Sequence, residues 1–134
     1  MTFTLFDGLF AVARLGAEDD VPPWAHRGAF SSITRTPLEL SIVCDEGAVP
    51  DHVQAERGWR CLGLQGPIPF ETTGVAAAIT RVLAERGISV FVVSTFDTDY
   101  VLVKAAVVDE AVEALRETSY EVTGFRGAGV GGTS

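Results

Sequence analysis

The order of hydrophobic patterns between Trp59 and Val122 constrains the fold of this chain most strongly. Apolar residues follow helical spacing twice, in residues 71–86 and 107–117. Apolar and β-branched runs, typical of strands, lie before, between and after these segments, at residues 59–64, 88–96, 100–103 and 120–122. The resulting order, β-α-β-β-α-β, is that of a ferredoxin-like unit, in which two helices cover one face of an antiparallel sheet.

Three local predictions refine this unit. Thr72 or Thr73 is expected to cap the first helix at its N-terminus, and Gly87 is expected to end it. The almost uninterrupted apolar run at residues 88–96 predicts a strand buried on both faces. A hairpin turn at residues 97–99 then leads into the next strand.

The first part of the chain resembles a degraded copy of the same order. It contains one bent strand or two strands at residues 3–15, a single helical turn at 21–26, and a hairpin formed by 30–36 and 38–44. Residues 45–57 are polar, with Pro50 and Asp51 as a possible start for a helix, and any helix there is short. If this part is a copy, the strand at Trp59 ends the first unit and begins the second.

The predicted architecture is therefore α+β, with two tandem ferredoxin-like βαββαβ units. Their expected ranges are residues 1–58 and 59–124, and residues 125–134 form a glycine-rich tail that is expected to be disordered.

Composition narrows the classes of partner. The 134 residues carry a formal charge of −8 and only ten Lys and Arg, which argues against binding to nucleic acid. No apolar run approaches the roughly 18 residues of a membrane-spanning helix, and no signal peptide is visible, so we expect a cytoplasmic protein. Cys44 and Cys61 match no CxxC pattern and are interpreted as buried thiols, with a disulfide as the alternative.

A candidate ligand site lies in residues 66–99, where a helix start and a strand end carry polar groups. The N–H groups at residues 72–74 suit the carboxylate of an α-amino acid, and Gly74 allows close approach of the backbone. Asp97 or Asp99 would accept hydrogen bonds from the ammonium group. Phe70 and Phe96 would shield the site from water.

Each of these residues also has an ordinary structural interpretation. The threonines are typical N-caps, Gly74 also permits tight packing, and aspartates such as Asp97 and Asp99 are common in hairpin turns. For Phe96 a place in the hydrophobic core is favoured over a role as a shield.

Catalysis, a metal and a cofactor are not expected. The two histidines, His26 and His52, lie in polar loop-like stretches, and the spacing of Asp45, Glu46 and His52 matches no metal-ligand pattern. No acid, base and nucleophile converge in the sequence.

Several stretches resemble a known family. The run Ser-Thr-Phe-Asp-Thr-Asp-Tyr at residues 94–100 and the run Phe-Glu-Thr-Thr-Gly-Val at 70–75 resemble the ACT domains, which are small regulatory modules that bind amino acids. The likeness extends to residues 22–25, 32–44 and 56–61 and is strongest to small bacterial tandem-ACT proteins and the CASTOR arginine sensors.

The resemblance implies a non-catalytic homodimer that binds an amino acid between neighbouring ACT-like units. Matched to the sensors, the ligand-binding residues would be Pro69, Phe70, Thr72, Thr73, Gly74, Thr95, Phe96, Thr98 and Asp99. Thr72 stands where the eukaryotic sensor has an acidic residue, which argues against arginine. The alternative is a ligand-free module for dimerisation or for docking to another protein.

Overall fold

The computed structural model describes residues 1–69 and 72–125. They form two compact units: the larger contains Met1–Asp7 and Arg60–Phe125, and the smaller contains Gly8–Trp59. The first strand thus belongs to the unit of the second half of the chain, whereas the sequence places it in the first unit.

The secondary structure confirms the predicted α+β class. In chain order the elements are β1 (Thr2–Phe6), β2 (Phe10–Leu15), β3 (Ser32–Arg35), β4 (Leu40–Asp45), β5 (Ala55–Leu64), α1 (Val75–Ala84), β6 (Phe91–Ser94), β7 (Asp99–Lys104), α2 (Val108–Glu117) and β8 (Glu121–Phe125). Short 3₁₀ turns lie at Pro23–His26, Glu46–Ala48 and Ala105–Val107. Neither α1 nor α2 is long and apolar enough to cross a membrane, and no other helix of the described residues is.

The sheet of the larger unit has the order β6-β7-β5-β1-β8. From β5 onward the chain follows the predicted β-α-β-β-α-β order. β1 lies between β5 and β8: Phe3 is opposite Leu64 in an antiparallel pair and opposite Val122 in a parallel pair. A strand from the N-terminus therefore completes the middle of this sheet.

One hydrophobic core joins both helices to the same face of this sheet. The strand residues that reach it are spaced two apart, as expected for one face of a strand: Leu62 and Leu64 on β5, and Val101 and Val103 on β7. The helix residues in the core are Ile79, Leu83, Val108, Ala111, Ala114 and Leu115. The helical spacing in the sequence predicts these buried faces because it marks the apolar side of each helix.

The start of α1 differs from its prediction. Gly74 occupies the N-cap position with a φ of 78°, so Thr72 and Thr73 do not cap the helix, and the prediction that one of them does is wrong. Glycine adopts this left-handed conformation without the clash that a Cβ atom causes, so the chain turns into the helix one residue after Thr73 and two after Thr72. Gly87, with a φ of 72°, lies at the predicted end of the helix.

The predicted long, doubly buried strand at residues 88–96 is also wrong. β6 contains only Phe91–Ser94, is half-buried at its apolar residues and pairs with β7 at the edge of the sheet. The apolar run is longer than the strand because Ile88 and Val90 pack into the core from the loop after α1.

The smaller unit contains the predicted hairpin, in which β3 and β4 pair antiparallel. β2 pairs with β4 and with the first half of β5, and alternating residues of β2 and β4 form its core: Ala11, Ala13, Leu40, Ile42 and Cys44. The short helix considered at Pro50 does not form. A 3₁₀ turn forms earlier, at Glu46–Ala48, where the Glu46 N–H donates to the Leu9 carbonyl over 2.9 Å.

The end of α2 gives a prediction about stability. Ser119 has a φ of 75°, and its N–H donates to the Arg116 carbonyl while the Tyr120 N–H donates to the Leu115 carbonyl. This is a Schellman-type helix end, where glycine is the preferred residue. We expect Ser119→Gly to raise the free energy of unfolding by about 1 kcal/mol, measured by urea denaturation, because it removes the strain of a left-handed residue.

Ser89→Gly is the matched control for this substitution. Ser89 is exposed and does not have a positive φ, so the added backbone freedom lowers the stability slightly or leaves it unchanged. Equal effects of the two substitutions would contradict strain at Ser119.

The two cysteines are free and buried, as the sequence predicts. Burial raises the pKa of Cys61 to about 12, and burial together with the negative charge of Asp45 raises the pKa of Cys44 to about 11. We expect neither thiol to react with dithionitrobenzoate at pH 8 in the native protein, and both to react in urea. Fast reaction of either thiol without denaturant would contradict its burial.

The raised pKa values also give a sign for the pH dependence. The native thiols hold their protons more tightly than the unfolded ones, so their contribution to stability is complete below about pH 9. It is lost as the pH rises toward 11–12.

Candidate functional site

A cavity of about 350 Å³ lies in the larger unit between the start of α1 and the turn that joins β6 to β7. Its two walls come from two short stretches of the chain, both of which contain predicted site residues. One wall contains Ile68, Pro69, Thr72, Gly74, Val75, Ala76 and Ala77, and the other contains Ser94, Thr95, Phe96, Asp97, Thr98 and Asp99.

The cavity brings together most of the residues that the sequence singles out as ligand-binding. Those that line it are Pro69, Thr72, Gly74, Thr95, Phe96, Thr98 and Asp99. Thr73 is exposed and is not among the lining residues, and Phe70 lies outside the described residues. Their role in binding remains a prediction.

Backbone N–H groups line one wall. The first intrahelical bond of α1 joins the Ala78 N–H to the Gly74 carbonyl over 2.9 Å. The N–H groups of Val75, Ala76 and Ala77 therefore precede the helical ladder. Because Gly74 has no side chain, the N-cap residue does not cap them, and this wall offers donors and the positive end of the helix dipole.

A fixed carboxylate lies on the opposite wall. Ser94 and Asp99 face each other across the ends of β6 and β7, and the Ser94 hydroxyl donates to Asp99 Oδ1 over 2.6 Å. The bond holds the carboxylate in one orientation and occupies one of its oxygens, while a carboxylate has further acceptor positions. Ser94 was not singled out from the sequence. The predicted hairpin, with its turn at residues 97–99, leaves Asp99 in the turn, whereas in the structure Asp99 begins β7 and lies opposite Ser94.

The turn between these two residues is closed by its own threonines. The Thr95 N–H donates to the Thr98 carbonyl over 2.8 Å, and the Thr95 hydroxyl contacts the same carbonyl at 3.1 Å. The Thr98 N–H donates back to the Thr95 hydroxyl over 3.3 Å. Thr95 thus stabilises the turn through contacts within the turn itself.

A second set of contacts joins this turn to the chain that leaves β5. The Thr98 hydroxyl donates to the Leu64 carbonyl over 2.7 Å, and the Ile68 N–H donates to the Asp97 carbonyl over 2.7 Å. Gly66 lies between them, where a Cβ atom would be 2.9 Å from the Asp97 carbonyl oxygen. The two walls of the cavity are therefore connected at its base.

The charge of the cavity comes from carboxylates. Asp97 and Asp99 line it, and among its described lining residues there is no Lys, Arg or His. The side chains on the wall that faces these carboxylates are largely apolar: Ile68, Val75, Ala76 and Ala77. The arrangement suits a ligand with a positively charged group near Asp99, an anionic group near the helix start and an uncharged remainder.

Phe96 differs from its favoured sequence interpretation. Its side chain is 79% exposed, so the preference for a place in the hydrophobic core is wrong. It lies in the tight turn after β6, where the chain reverses outside the sheet, and it forms part of the cavity rim.

Metal-binding chemistry is not supported within the described part of the chain. No group of three or more His, Cys, Asp and Glu side chains there has an arrangement that could hold a metal ion. The Asp45, Glu46 and His52 combination considered from the sequence is thus not assembled into such a group.

Two family models match the chain. One, described as an ACT domain, matches residues 54–117, and another, described as an N-terminal domain, matches residues 8–52. Neither description names a catalytic activity.

Solved structures with the same fold come from several bacteria. A protein from Agobacterium tumefaciens is 37% identical, with 92% of each chain covered and a TM-score of 0.86. A protein of unknown function from Vibrio cholerae, described as a possible transport protein, is 20% identical, with 87% of this chain and 88% of that chain covered and a TM-score of 0.68. The regulatory subunit of aspartate kinase from Thermus thermophilus is 12% identical, with 84% and 93% covered and a TM-score of 0.58.

A human relative extends the comparison. The Homo sapiens protein CASTOR3P is 31% identical over 90 residues, which cover 58% of this chain and 55% of that protein. The present chain thus matches about half the length of this relative. Three findings agree: the ACT-domain match over residues 54–117, the likeness to CASTOR3P, and the β-α-β-β-α-β unit with its two helices on one face. This part of the chain belongs to the ACT-domain family.

Proposed function

We propose that this chain is a non-catalytic regulatory module and that its cavity binds a free α-amino acid. The observation that carries the proposal is the pairing of a helix start without a side-chain cap at Gly74 with a carboxylate at Asp99, fixed by Ser94, across one cavity. These two features match the two charges that every α-amino acid carries on one carbon atom.

The carboxylate of the ligand would bind at the start of α1. The N–H groups of Val75, Ala76 and Ala77 precede the helical ladder, and the helix dipole favours an anion there. Gly74 adds no side chain at the helix start, and the space that a Cβ atom would occupy there is open, with no protein atom within 4 Å.

The ammonium group of the ligand would bind Asp99. Hydrogen bonds between charged partners contribute roughly 1.5–3 kcal/mol each, more than those between neutral groups. The bond from Ser94 orients Asp99 before the ligand arrives, which lowers the entropy that binding must overcome.

The side chain of the ligand would be uncharged. Asp97 and Asp99 repel an acidic side chain, and the wall formed by Ile68, Val75 and Ala76 is apolar. Thr72, which replaces an acidic residue of the arginine sensors, argues in the same direction.

Relatives are consistent with this function. One structural relative is described as the regulatory subunit of aspartate kinase, and the human relative carries the CASTOR name. The likeness to the first supports the fold alone because the identity is 12%.

A thermal-shift screen against the twenty amino acids tests the proposal. At a concentration of one hundred times Kd, a ligand stabilises the folded state by about 2.7 kcal/mol, which corresponds to a rise in Tm on the order of 10 °C. We expect a dose-dependent rise with one or a few neutral amino acids.

Derivatives of the ligand that responds make the test specific. The N-acetyl derivative lacks the ammonium group, and the α-amide lacks the carboxylate. Both should bind at least about tenfold more weakly, since each removes one charge-assisted contact. A flat screen across all twenty amino acids would contradict the proposal and favour the ligand-free interaction module.

Three further parts of the proposal remain predictions. We propose a homodimer, a place for the ligand-binding cavity at an interface with a neighbouring ACT-like unit, and a cytoplasmic location. A monomer in sedimentation equilibrium at tens of micromolar, with and without the ligand, would contradict the dimer.

A further inference from the structure

We infer that Thr98 is a positioning residue, which sets the spacing between the two walls of the cavity and whose hydroxyl hydrogen is not available to the ligand. The inference rests on the proposed function, because it concerns the same cavity. The inference gives Thr98 a different role from the one implied by the family resemblance, which is direct contact with the ligand.

The hydroxyl of Thr98 already has a partner within the protein. It donates to the Leu64 carbonyl over 2.7 Å, a good distance for a hydrogen bond between two oxygens. A hydroxyl has a single hydrogen to donate, so Thr98 cannot also donate to a ligand carboxylate without breaking this bond.

The bond from Thr98 joins the two halves of the site. Leu64 is the last residue of β5, from which the chain runs through Ile68 to the start of α1. Thr98 belongs to the turn that precedes Asp99. The hydrogen bond therefore ties the turn beside the carboxylate to the chain segment that leads toward the N–H groups.

Two further contacts act in the same place. The Ile68 N–H donates to the Asp97 carbonyl over 2.7 Å. A Cβ atom at Gly66 would be 2.9 Å from that carbonyl oxygen and 3.0 Å from Thr98 Cβ, so only glycine allows the chain and the turn to lie this close. The Asp97 oxygen belongs to the backbone, and the Thr98 side chain is held by its hydrogen bond to the Leu64 carbonyl, so neither group moves away easily.

The spacing matters because the ligand is short. An α-amino acid carries its two charges on one carbon atom, so both walls must be at the correct separation for the two charges to be bound at once. A small displacement of the turn weakens one of the two contacts.

The ligand-free protein provides the first test. Thr98→Val keeps the shape of the side chain and removes the hydroxyl. We expect it to increase amide hydrogen exchange at Ile68, because the acceptor of that N–H lies in the released turn. Thr98→Ser, which keeps the hydroxyl, should restore slow exchange. Unchanged exchange in Thr98→Val would overturn the inference whether or not a ligand is known.

Affinity for the amino acid found in the screen provides the second test. We expect Thr98→Val to weaken binding by about three- to tenfold, the size of one hydrogen bond, with recovery in Thr98→Ser. Gly66→Ala, which pushes the turn away by a different route, should weaken binding and increase exchange at Ile68 in the same way.

Thr118→Val is the matched control. The Thr118 hydroxyl also contacts a carbonyl, that of Leu115 at 3.0 Å, but it lies at the end of α2 and does not line the cavity. It should leave affinity and exchange at Ile68 unchanged.

The outcomes separate the two proposals. If no amino acid binds, the proposed function is wrong and Thr98 has no role in binding, although the exchange data still report on the contact to Leu64. If an amino acid binds and Thr98→Val binds it as well as the original protein does, the proposed function stands and this inference is overturned.

Discussion

We expect Phe3→Ala to lower the free energy of unfolding by about 3–5 kcal/mol, as is usual when a fully buried phenylalanine is truncated. Phe3 has no exposed surface and belongs to the core of the larger unit. It is opposite Leu64 and Val122 in the sheet, and its ring lies 5.4 Å from the ring of Tyr120. Urea denaturation followed by circular dichroism measures the change.

Phe96→Ala is the matched control because it makes the same truncation at a side chain that is 79% exposed. We expect a change in stability within about 0.5 kcal/mol. If Phe3→Ala costs no more than Phe96→Ala, the N-terminal strand does not contribute to the core of the larger unit.

The place of β1 is the part of the fold that the sequence did not reveal. Local hydrophobic periodicity predicts the β-α-β-β-α-β order correctly from Trp59 onward. The partners of β1 are distant in sequence: Phe3 pairs with Leu64 and Val122. A strand pattern indicates which residues face a core but not which strands lie beside it, so this pairing required the structure.

The wrong local predictions share a physical cause. At the start of α1, Gly74 occupies the N-cap position instead of either threonine, although threonine has good capping propensity. The left-handed conformation of Gly74 depends on the path of the chain into the helix. In residues 88–96, the hydrophobic run predicts a strand, whereas Ile88 is buried from a loop. In both places the tertiary path decided between conformations that the sequence allowed.

The clustering of the candidate residues is predictable from the sequence because it is nearly local, whereas their role in binding stays a prediction. Its two walls come from two short segments, and seven of the nine residues singled out line one cavity. What the sequence could not supply is the division of roles among them. Thr95 and Thr98 are engaged in the turn and at its base, which follows only from the hydrogen bonds.

Asp99 is the residue on which ligand binding should depend most. We expect Asp99→Asn to weaken binding of the amino acid found in the screen by about 10- to 150-fold, the range of a hydrogen bond between charged groups. The substitution removes the charge with little change in shape, and the amide oxygen still accepts a hydrogen bond from Ser94. Isothermal titration calorimetry measures the change.

Asp97→Asn is the matched control, since it makes the same change in the same cavity. Asp97 is exposed, and its backbone carbonyl, not its carboxylate, accepts the Ile68 N–H. We expect its effect on affinity to stay below about threefold, as for a screened surface charge. A larger effect of Asp97→Asn than of Asp99→Asn would identify Asp97 as the partner of the ammonium group.

A double-mutant cycle with the N-acetyl derivative assigns the contact to the ammonium group itself. If Asp99 binds that group, acetylation and Asp99→Asn remove the same interaction, and their effects on the binding free energy will not add. The acetylated ligand should then bind the original protein and Asp99→Asn with similar affinity. Additive effects would mean that the carboxylate acts elsewhere in the cavity, and that the fixed geometry of Ser94 and Asp99 serves the hairpin and not the ligand.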